Sequence, residues 1–256
     1  MNKNFWNGKK IILTGASSGI GKAIAESLLD VNCSLHLISR RVSLIEEFID
    51  SAANTRANVS IHKCDVSDKM AVREICEKIY EIDGAVDIAI LNSGVSKRKK
   101  LTAYDPKIAE DVFGVNLFGV IYFTEWLLPK FIEKKNGIIA GVSSLADNRG
   151  YPGSGFYSAS KAALSIYLES LRIESALFGV KVITVKPGFV RTPMTSKNNF
   201  SMPFLMAPER AAEYIINGIE KGKPVIQFPW QTVFLSKLIG NIPAIVYEFL
   251  SSRRKY

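Results

Sequence analysis

Ile11-Ile12-Leu13-Thr14-Gly15-Ala16-Ser17-Ser18-Gly19-Ile20-Gly21 is a β-branched apolar run that stops in a glycine-rich turn and reopens as a helix. A strand–turn–helix junction of this kind is where an open α/β sheet holds a pyrophosphate. Backbone N–H groups and the positive helix terminus attract the anion, and glycine permits close approach. The spacing is Gly-x-x-x-Gly-x-Gly, not Gly-x-Gly-x-x-Gly. Gly15, Ser17, Ser18, Gly19, Ile20 and Gly21 are therefore the candidate phosphate cradle.

The same strand–helix alternation continues along the 256 residues. Residues 11–14, 35–39, 59–63, 86–92, 138–143, 180–186 and 225–227 read as strands. Residues 19–30, 43–52, 105–135 and 208–221 have helical period, as does a stretch capped by Ser67 and running to about Ile82. A further helix runs to about Phe178, with Gly179 placed to end it. Such alternation predicts an α/β fold: one doubly wound, Rossmann-type domain over residues 1–256. Its seven-stranded, mostly parallel sheet is flanked by helices on both faces.

The second strand ends in Ser39-Arg40-Arg41 with no acid. A carboxylate there would bond a ribose 2′-hydroxyl, whereas arginine accommodates a 2′-phosphate. Arg40 and Arg41 therefore favour NADP(H), with NAD(H) the alternative. Far downstream, Tyr157-Ser158-Ala159-Ser160-Lys161 sets a tyrosine and a lysine four apart on one helix face. A free phenol, with a pKa near 10, is a poor acid–base at neutral pH. A cation within about 4–6 Å lowers such a pKa by roughly 1–3 units, and Lys161 is placed to do so.

Taken together, Thr14-Gly15-x-x-x-Gly19-Ile20-Gly21, Asp65, Asn92-Ser93-Gly94, Asn116, Ser144, Tyr157-x-x-x-Lys161 and Pro187-Gly188 resemble the short-chain dehydrogenases/reductases in order and spacing. The resemblance runs to about Gln227; Leu91-Asn92-Ser93-Gly94 departs from the common Asn-Asn-Ala-Gly. It implies hydride transfer between a nicotinamide cofactor and a carbonyl or secondary alcohol. Tyr157 would be the general acid/base, Lys161 would also bond the nicotinamide ribose, and Ser144 would hold the substrate oxygen. Ser144, not Ser143, stands at the family's thirteen-residue offset from the tyrosine. Asn116 would hold a water in a proton relay. Asp65 and Val66 would contact the adenine, Asn92 and Gly94 would act through their backbone, and Pro187, Gly188, Val190 and Thr192 would border the nicotinamide. An NAD-linked alcohol dehydrogenase and a non-catalytic dinucleotide sensor or scaffold are the rival readings.

Residues 189–207 read as the family's substrate lid. Met194, Phe200, Met202, Phe204, Leu205 and Met206 suggest a lipophilic substrate or packing against the domain or a second subunit. Lys97-Arg98-Lys99-Lys100 is either a solvated loop or an attractor for an acidic substrate. Residues 228–256 are a variable apolar tail with a basic end, Arg253-Arg254-Lys255. The tail either packs on the protein or a partner subunit, or makes a peripheral membrane contact.

The net charge of +9 and the 47% apolar content suit a globular protein that attracts anions. No nucleic-acid-binding motif accompanies the charge. Three cysteines and two histidines lack metal-ligand spacing, and the expected thiols are buried and reduced, as in the cytoplasm. Residues 1–10 lack an apolar signal core, and no run of eighteen apolar residues occurs. By family habit the chain is expected to form a homodimer or homotetramer.

Overall fold

The computed structural model of the chain describes residues 1–97 and 101–252. Its strands are β1 (Lys10–Thr14), β2 (Ser34–Ser39), β3 (Asn58–Lys63), β4 (Ile88–Leu91), β5 (Gly137–Val142), β6 (Val180–Pro187) and β7 (Val225–Phe228). They form one sheet in the order β3-β2-β1-β4-β5-β6-β7, and every neighbouring pair is parallel. The sheet is thus wholly, not mostly, parallel. Its central strands are buried along their length, β4 and β5 at every position. Burial on both faces explains why they read as unbroken apolar runs.

The helices are α1 (Lys3–Trp6), α2 (Gly19–Leu29), α3 (Ser43–Asp50), α4 (Lys69–Asp83), α5 (Lys107–Phe113), α6 (Gly119–Glu133), α7 (Gly155–Ser175), α8 (Pro208–Glu220), α9 (Trp230–Asn241) and α10 (Ala244–Ser252). On one face Trp6, Leu28, Ile215 and Ile219 close over the sheet. On the other, Ile79, Phe123, Leu127, Phe131 and Leu168 do so. The continuous helix Lys107–Glu133 is long and apolar enough to cross a membrane. Here its apolar side is core, with Phe123, Leu127 and Phe131 at most 1% exposed.

Several local expectations are corrected. Asp68, not Ser67, caps α4, accepting from the backbone N–H groups of Met70 and Ala71. Ser67 instead donates its hydroxyl to Asp65 Oδ1 at 2.7 Å. The long helix is not uniform, because Gly114–Phe118 forms a π turn between α5 and α6. α1 was not legible at all. Its Trp6 is fully buried and donates Nε1–H to Glu220 Oε1 at 2.7 Å, fastening the N-terminal segment to α8. Gly179 does end its helix in the left-handed region, at φ 73°. The three cysteines are buried and unpaired.

His36 and His62 are buried beneath this fold. His36 Nδ1 lies 3.0 Å from His62 Nε2, and its Nε2 lies 2.9 Å from Asp83 Oδ2. Burial, then the charges of His36 and Lys78, pull the His62 pKa down to about 4. The unfolded chain takes up that proton near pH 6.5, the folded chain only near 4. Stability is therefore expected to fall as pH drops from 6.5 toward 4. Urea unfolding across this range should show the decline, and His62→Gln should flatten it; a variant with the same slope would contradict the assignment.

Candidate active site

β1 and β4 are neighbours in the sheet, and the chain reverses its direction of winding between them. At such a switch point the loops leaving the two strands part and open a crevice. Thr14 fastens its walls: Thr14 Oγ1 accepts the N–H groups of Asn92 and Ser93 at 2.9 and 3.0 Å, and Asn92 Nδ2 donates to Thr14 O at 3.1 Å. Asn92 thereby spends its side chain on the strand ends. Behind it the glycine turn is packed as tightly as backbone allows. A Cβ on Gly21 would lie 2.2 Å from Gly15 O, and one on Gly19 would lie 2.7 Å from Thr192 Cγ2. Gly15 and Gly19 also take φ of 69° and 56°, which L side chains adopt only at a cost.

Ser18 precedes α2 without capping it. Its hydroxyl instead accepts from Arg41 Nη2 at 3.0 Å, and Ser17 Oγ accepts from the same nitrogen at 3.3 Å. Ser39 holds this corner together, donating to Ser17 Oγ at 2.9 Å and accepting the Arg41 N–H at 3.1 Å. Arg41 therefore lies against the glycine turn. Arg40 turns away toward Asp65, with Nη1 3.3 Å from Oδ2. Burial raises the Asp65 carboxyl, but Ser67 and then Arg40 outweigh it and hold the group below the usual range. The two arginines read together in the sequence thus occupy different positions. Val66 is buried against the start of α6, where a Cβ on Gly119 would lie 3.0 Å from Val66 O.

β5 ends at Val142, and the next residues carry the chemistry. Lys161 is 3% exposed, and its ammonium donates to Val142 O at 2.7 Å. Burial pulls its pKa down to about 8. Ser143 is structural: it donates to Lys161 O at 2.9 Å and accepts from Ser165 at 2.8 Å. Ser144 differs: its hydroxyl accepts the Ala146 N–H at 3.1 Å and acts on the Tyr157 phenol. Lys161 Nζ stands 6.0 Å from the centre of the Tyr157 ring. The expected downward pull of the lysine does not govern the phenol in the free chain. Burial raises the Tyr157 pKa, the Ser144 hydroxyl lowers it, and the Asp147 charge raises it. The phenolate is desolvated there, while the ammonium is directed at Val142.

Asn116 is fully buried on the π turn. Its amide accepts from Val95 N–H at 2.8 Å, and donates to Val95 O at 3.0 Å and Ser160 Oγ at 2.9 Å. A Cβ on Gly94 would lie 3.5 Å from both Asn116 Oδ1 and Lys161 Nζ. Gly94 thus keeps the crevice open beside the lysine. Pro187 closes β6, and Gly188 N–H donates to Phe228 O at 2.8 Å. Val190 is buried and bridges Met206, so the ends of the lid segment 189–207 meet. Within it Phe200, Phe204 and Leu205 are exposed, and Phe189 meets Phe200 edge-on at 6.0 Å.

Four contributors were missed in the sequence. The Asp147 side chain, 7% exposed, pairs with Lys186 at 2.7 Å and accepts from Ser165 at 2.5 Å, fixing the loop after Ser144. Phe156 meets the Tyr104 ring at a tilt, centroids 5.6 Å apart, beside Tyr157. Asn148 and Arg149 tie the same loop to α9. Each joins segments far apart in sequence, and no local pattern marks them. Of the basic run, Lys97 is ion-paired with Asp111 at 2.5 Å; Arg98, Lys99 and Lys100 lie outside the described residues, as do Arg253, Arg254 and Lys255.

A parallel sheet with a phosphate cradle at its switch point and a tyrosine–lysine–serine cluster across the crevice defines a dinucleotide-dependent oxidoreductase. Residues 9–202 match the short chain dehydrogenase family. An uncharacterized oxidoreductase of Myxococcus xanthus (strain DK1622) is 32% identical over 242 residues, covering 94% of this chain and 96% of its own length. An alcohol dehydrogenase of the archaeon Thermococcus sibiricus, solved with 5-hydroxy-NADP, superposes with TM-score 0.76 at 26% identity over 87% of this chain and 95% of its own. A short-chain dehydrogenase/reductase of Burkholderia phymatum, solved with NAD, shares the fold at TM-score 0.83 and 21% identity, over 98% of this chain and 97% of its own. The chain belongs to the short-chain dehydrogenase/reductase family and is an NAD(P)-dependent oxidoreductase.

The residues present fit that dinucleotide. The cradle has no room for side chains at Gly15, Gly19 and Gly21, and Val142 occupies one of the three donors of the Lys161 ammonium, leaving two for hydroxyl oxygens. Gly21→Ala, which puts a methyl group into the Gly15 carbonyl, is expected to weaken cofactor binding at least ~10-fold by fluorescence titration. Unchanged affinity would show that the cradle does not hold the cofactor.

Proposed function

We propose that the chain transfers hydride between NADP(H) and a lipophilic carbonyl or secondary alcohol, with Tyr157 as general acid/base. The observation that carries this reading is the placement of Tyr157 and the buried Lys161 ammonium one turn apart on α7, with Lys161 Nζ 6.0 Å from the centre of the Tyr157 ring. Arg41 supports the choice of NADP(H): its guanidinium rests on the Ser17 and Ser18 hydroxyls at the edge of the cradle, where a 2′-phosphate would meet a planar fork of donors. Arg40, 60% exposed on Asp65, is a secondary contributor to the same phosphate. Asp65 and Val66 flank the adenine side, and Pro187, Gly188, Val190 and Thr192 the nicotinamide side.

The bound nicotinamide supplies or accepts the hydride. In the reductive direction Ser144 donates a hydrogen bond to the substrate carbonyl oxygen and steers it to the Tyr157 hydroxyl. As the carbonyl carbon gains the hydride, Tyr157 gives its proton to the oxygen and becomes a phenolate. With cofactor bound, the Lys161 ammonium, 6.0 Å from the phenol ring centre in the free chain, stabilises that phenolate, and Asn116, clasped to Val95 and Ser160, anchors the relay that returns the proton. Oxidation runs the same steps backward. Phe156, Tyr104 and the lid aromatics give the mouth apolar walls, and such walls favour lipophilic substrates.

We also propose a homodimer or homotetramer joined through the outer face of α7 and the 3-10 turn that follows it, where Ile166, Ile173 and Leu177 are 68, 70 and 90% exposed. The three buried thiols suit the reducing cytoplasm.

Tyr157→Phe is expected to lose at least ~10²-fold in kcat, the usual scale for a general acid, while NADPH affinity stays within about twofold. Arg41→Ala is expected to raise KM for NADPH at least ~10-fold and leave that for NADH nearly unchanged. Both are checked by absorbance assays over a panel of apolar ketones and aldehydes. Full turnover in the tyrosine variant, or equal loss with both cofactors in the arginine variant, would overturn the corresponding assignment.

A further inference from the structure

The C-terminal hairpin is amphipathic in the inverted sense. α9 turns its hydroxyls inward, with Thr232 and Ser236 each 9% exposed. Trp230, Phe234 and Leu238 stand one turn apart on the outer side, 73, 58 and 51% exposed. α10 buries none of its residues, and Ile245, Val246, Phe249 and Leu250 are all exposed. Contiguous outward apolar surface of this extent marks a face that meets another surface.

The hairpin is nevertheless firmly held. Asn148 Nδ2 donates to Ser236 O and Oγ at 2.5 and 2.8 Å, and Ser236 Oγ donates to Leu145 O at 3.0 Å. The Arg149 guanidinium bonds the carbonyls of Ile239 and Ile242 and lies over the Tyr247 ring, whose hydroxyl donates to Gly150 O at 2.8 Å. The outward apolar side is thus a fixed feature of the domain.

Charge identifies the occupant. From Lys221 to Tyr256 the sequence carries six basic residues and one acid, Glu248. Lys221, Lys223 and Lys237 line the groove between α8, β7 and α9 together with Trp230 and Phe234. Among the described residues none of these three lysines is ion-paired, whereas Arg210 beside them is held by Glu213. A second copy related by a two-fold axis would bring like charges together. The apolar stripe of α7, flanked by exposed Glu169 and Glu174, is the contrasting face. The axes of α9 and α10 meet at a bend of 111°, which suits a pair of helices lying on a surface and not one straight span.

We propose that α9 and α10 dock this chain on an anionic lipid bilayer. Trp230, Phe234, Leu238, Ile245 and Phe249 enter the boundary between headgroups and acyl chains, and Lys221, Lys223 and Lys237 meet lipid phosphates. The hairpin is bonded to the segment that follows Ser144, so the docked chain holds its active-site rim close to the same surface. That last clause alone rests on the oxidoreductase reading, because a lipophilic substrate would then be drawn from the bilayer; vesicle binding tests the docking without it.

The test is co-sedimentation of the full chain with phosphatidylcholine vesicles, with and without about one-third phosphatidylglycerol. Binding is expected to be at least ~10-fold stronger on the anionic vesicles and to weaken as salt is added. Tryptophan emission should shift to the blue, because Trp230 is the most exposed of the three indoles, Trp6 being buried and Trp126 half-buried. A triple variant, Trp230→Ser, Phe234→Ser and Phe249→Ser, should lose at least ~10-fold in vesicle binding with unchanged far-ultraviolet circular dichroism. Lys221→Glu with Lys223→Glu and Lys237→Glu should abolish the preference for anionic vesicles. The proposal is overturned if the chain binds neither vesicle at low salt, or if the triple variant binds as well as the parent. It is equally overturned if light scattering shows a vesicle-free dimer that the triple variant splits into monomers, which would assign the face to a second copy.

Discussion

An ammonium group taken out of water at the end of β5 is the constraint on which the rest of the site depends. Lys161 has only 3% of its surface exposed, and Val142 O takes one of its hydrogens. Its pKa of about 8, against 10.5 for the free group, corresponds to roughly 3 kcal/mol against the charged form. That penalty is tolerable only where oxygen atoms face the nitrogen in fixed positions. β5, Ser143 and α7 are interlocked to provide the first of them: Ser143 bonds Lys161 O, and Ser165 bonds Ser143. The hydroxyls of a bound nicotinamide ribose complete the set in the proposed reaction.

The parallel sheet makes this local cost worthwhile by gathering the chemistry at one edge. The loops after β1, β4, β5 and β6 all leave from carboxyl ends of strands, so the glycine turn, Asn92, Ser144 and Gly188 come to the same crevice. Two buried polar links keep the edge from splaying. Thr14 joins the first and fourth strands through Asn92 and Ser93, and Asp147 joins the loop after the fifth to Lys186 on the sixth. The Asp147 charge also raises the Tyr157 phenol. The same carboxylate that steadies the loop thereby biases the tyrosine toward its protonated form.

The sheet was legible in the sequence because its strands are buried on both faces and so appear as apolar runs of β-branched residues. Gly15, Gly19 and Gly21 were legible because only glycine satisfies the positive φ and the close packing there. Tyr157 and Lys161 sit one turn apart on a helix, which is a local relation that spacing conveys. Other parts depend on distant partners and left no local trace. The separation of Arg40 from Arg41 is decided by Asp65 on one side and Ser17 and Ser18 on the other. Trp6, in a segment read only for its lack of a signal core, is fixed by Glu220 more than two hundred residues away. The tail showed apolar residues interrupted by Gly240 and Pro243, and its two helices emerge only through bonds to Asn148, Arg149 and Gly150.

Burial alone leaves the Tyr157 phenol above its ordinary value in the free chain, so a working acid–base requires the neighbouring positive charge to reverse that shift once cofactor is bound. The direct measurement is the pH profile of single-turnover alcohol oxidation with saturating NADP⁺, in the parent chain and in Lys161→Met. The parent is expected to show an apparent pKa below the phenol's usual value near 10, and the variant one higher by at least ~1 unit. Coincident profiles would mean that the ammonium does not tune the tyrosine, and the central claim would fail.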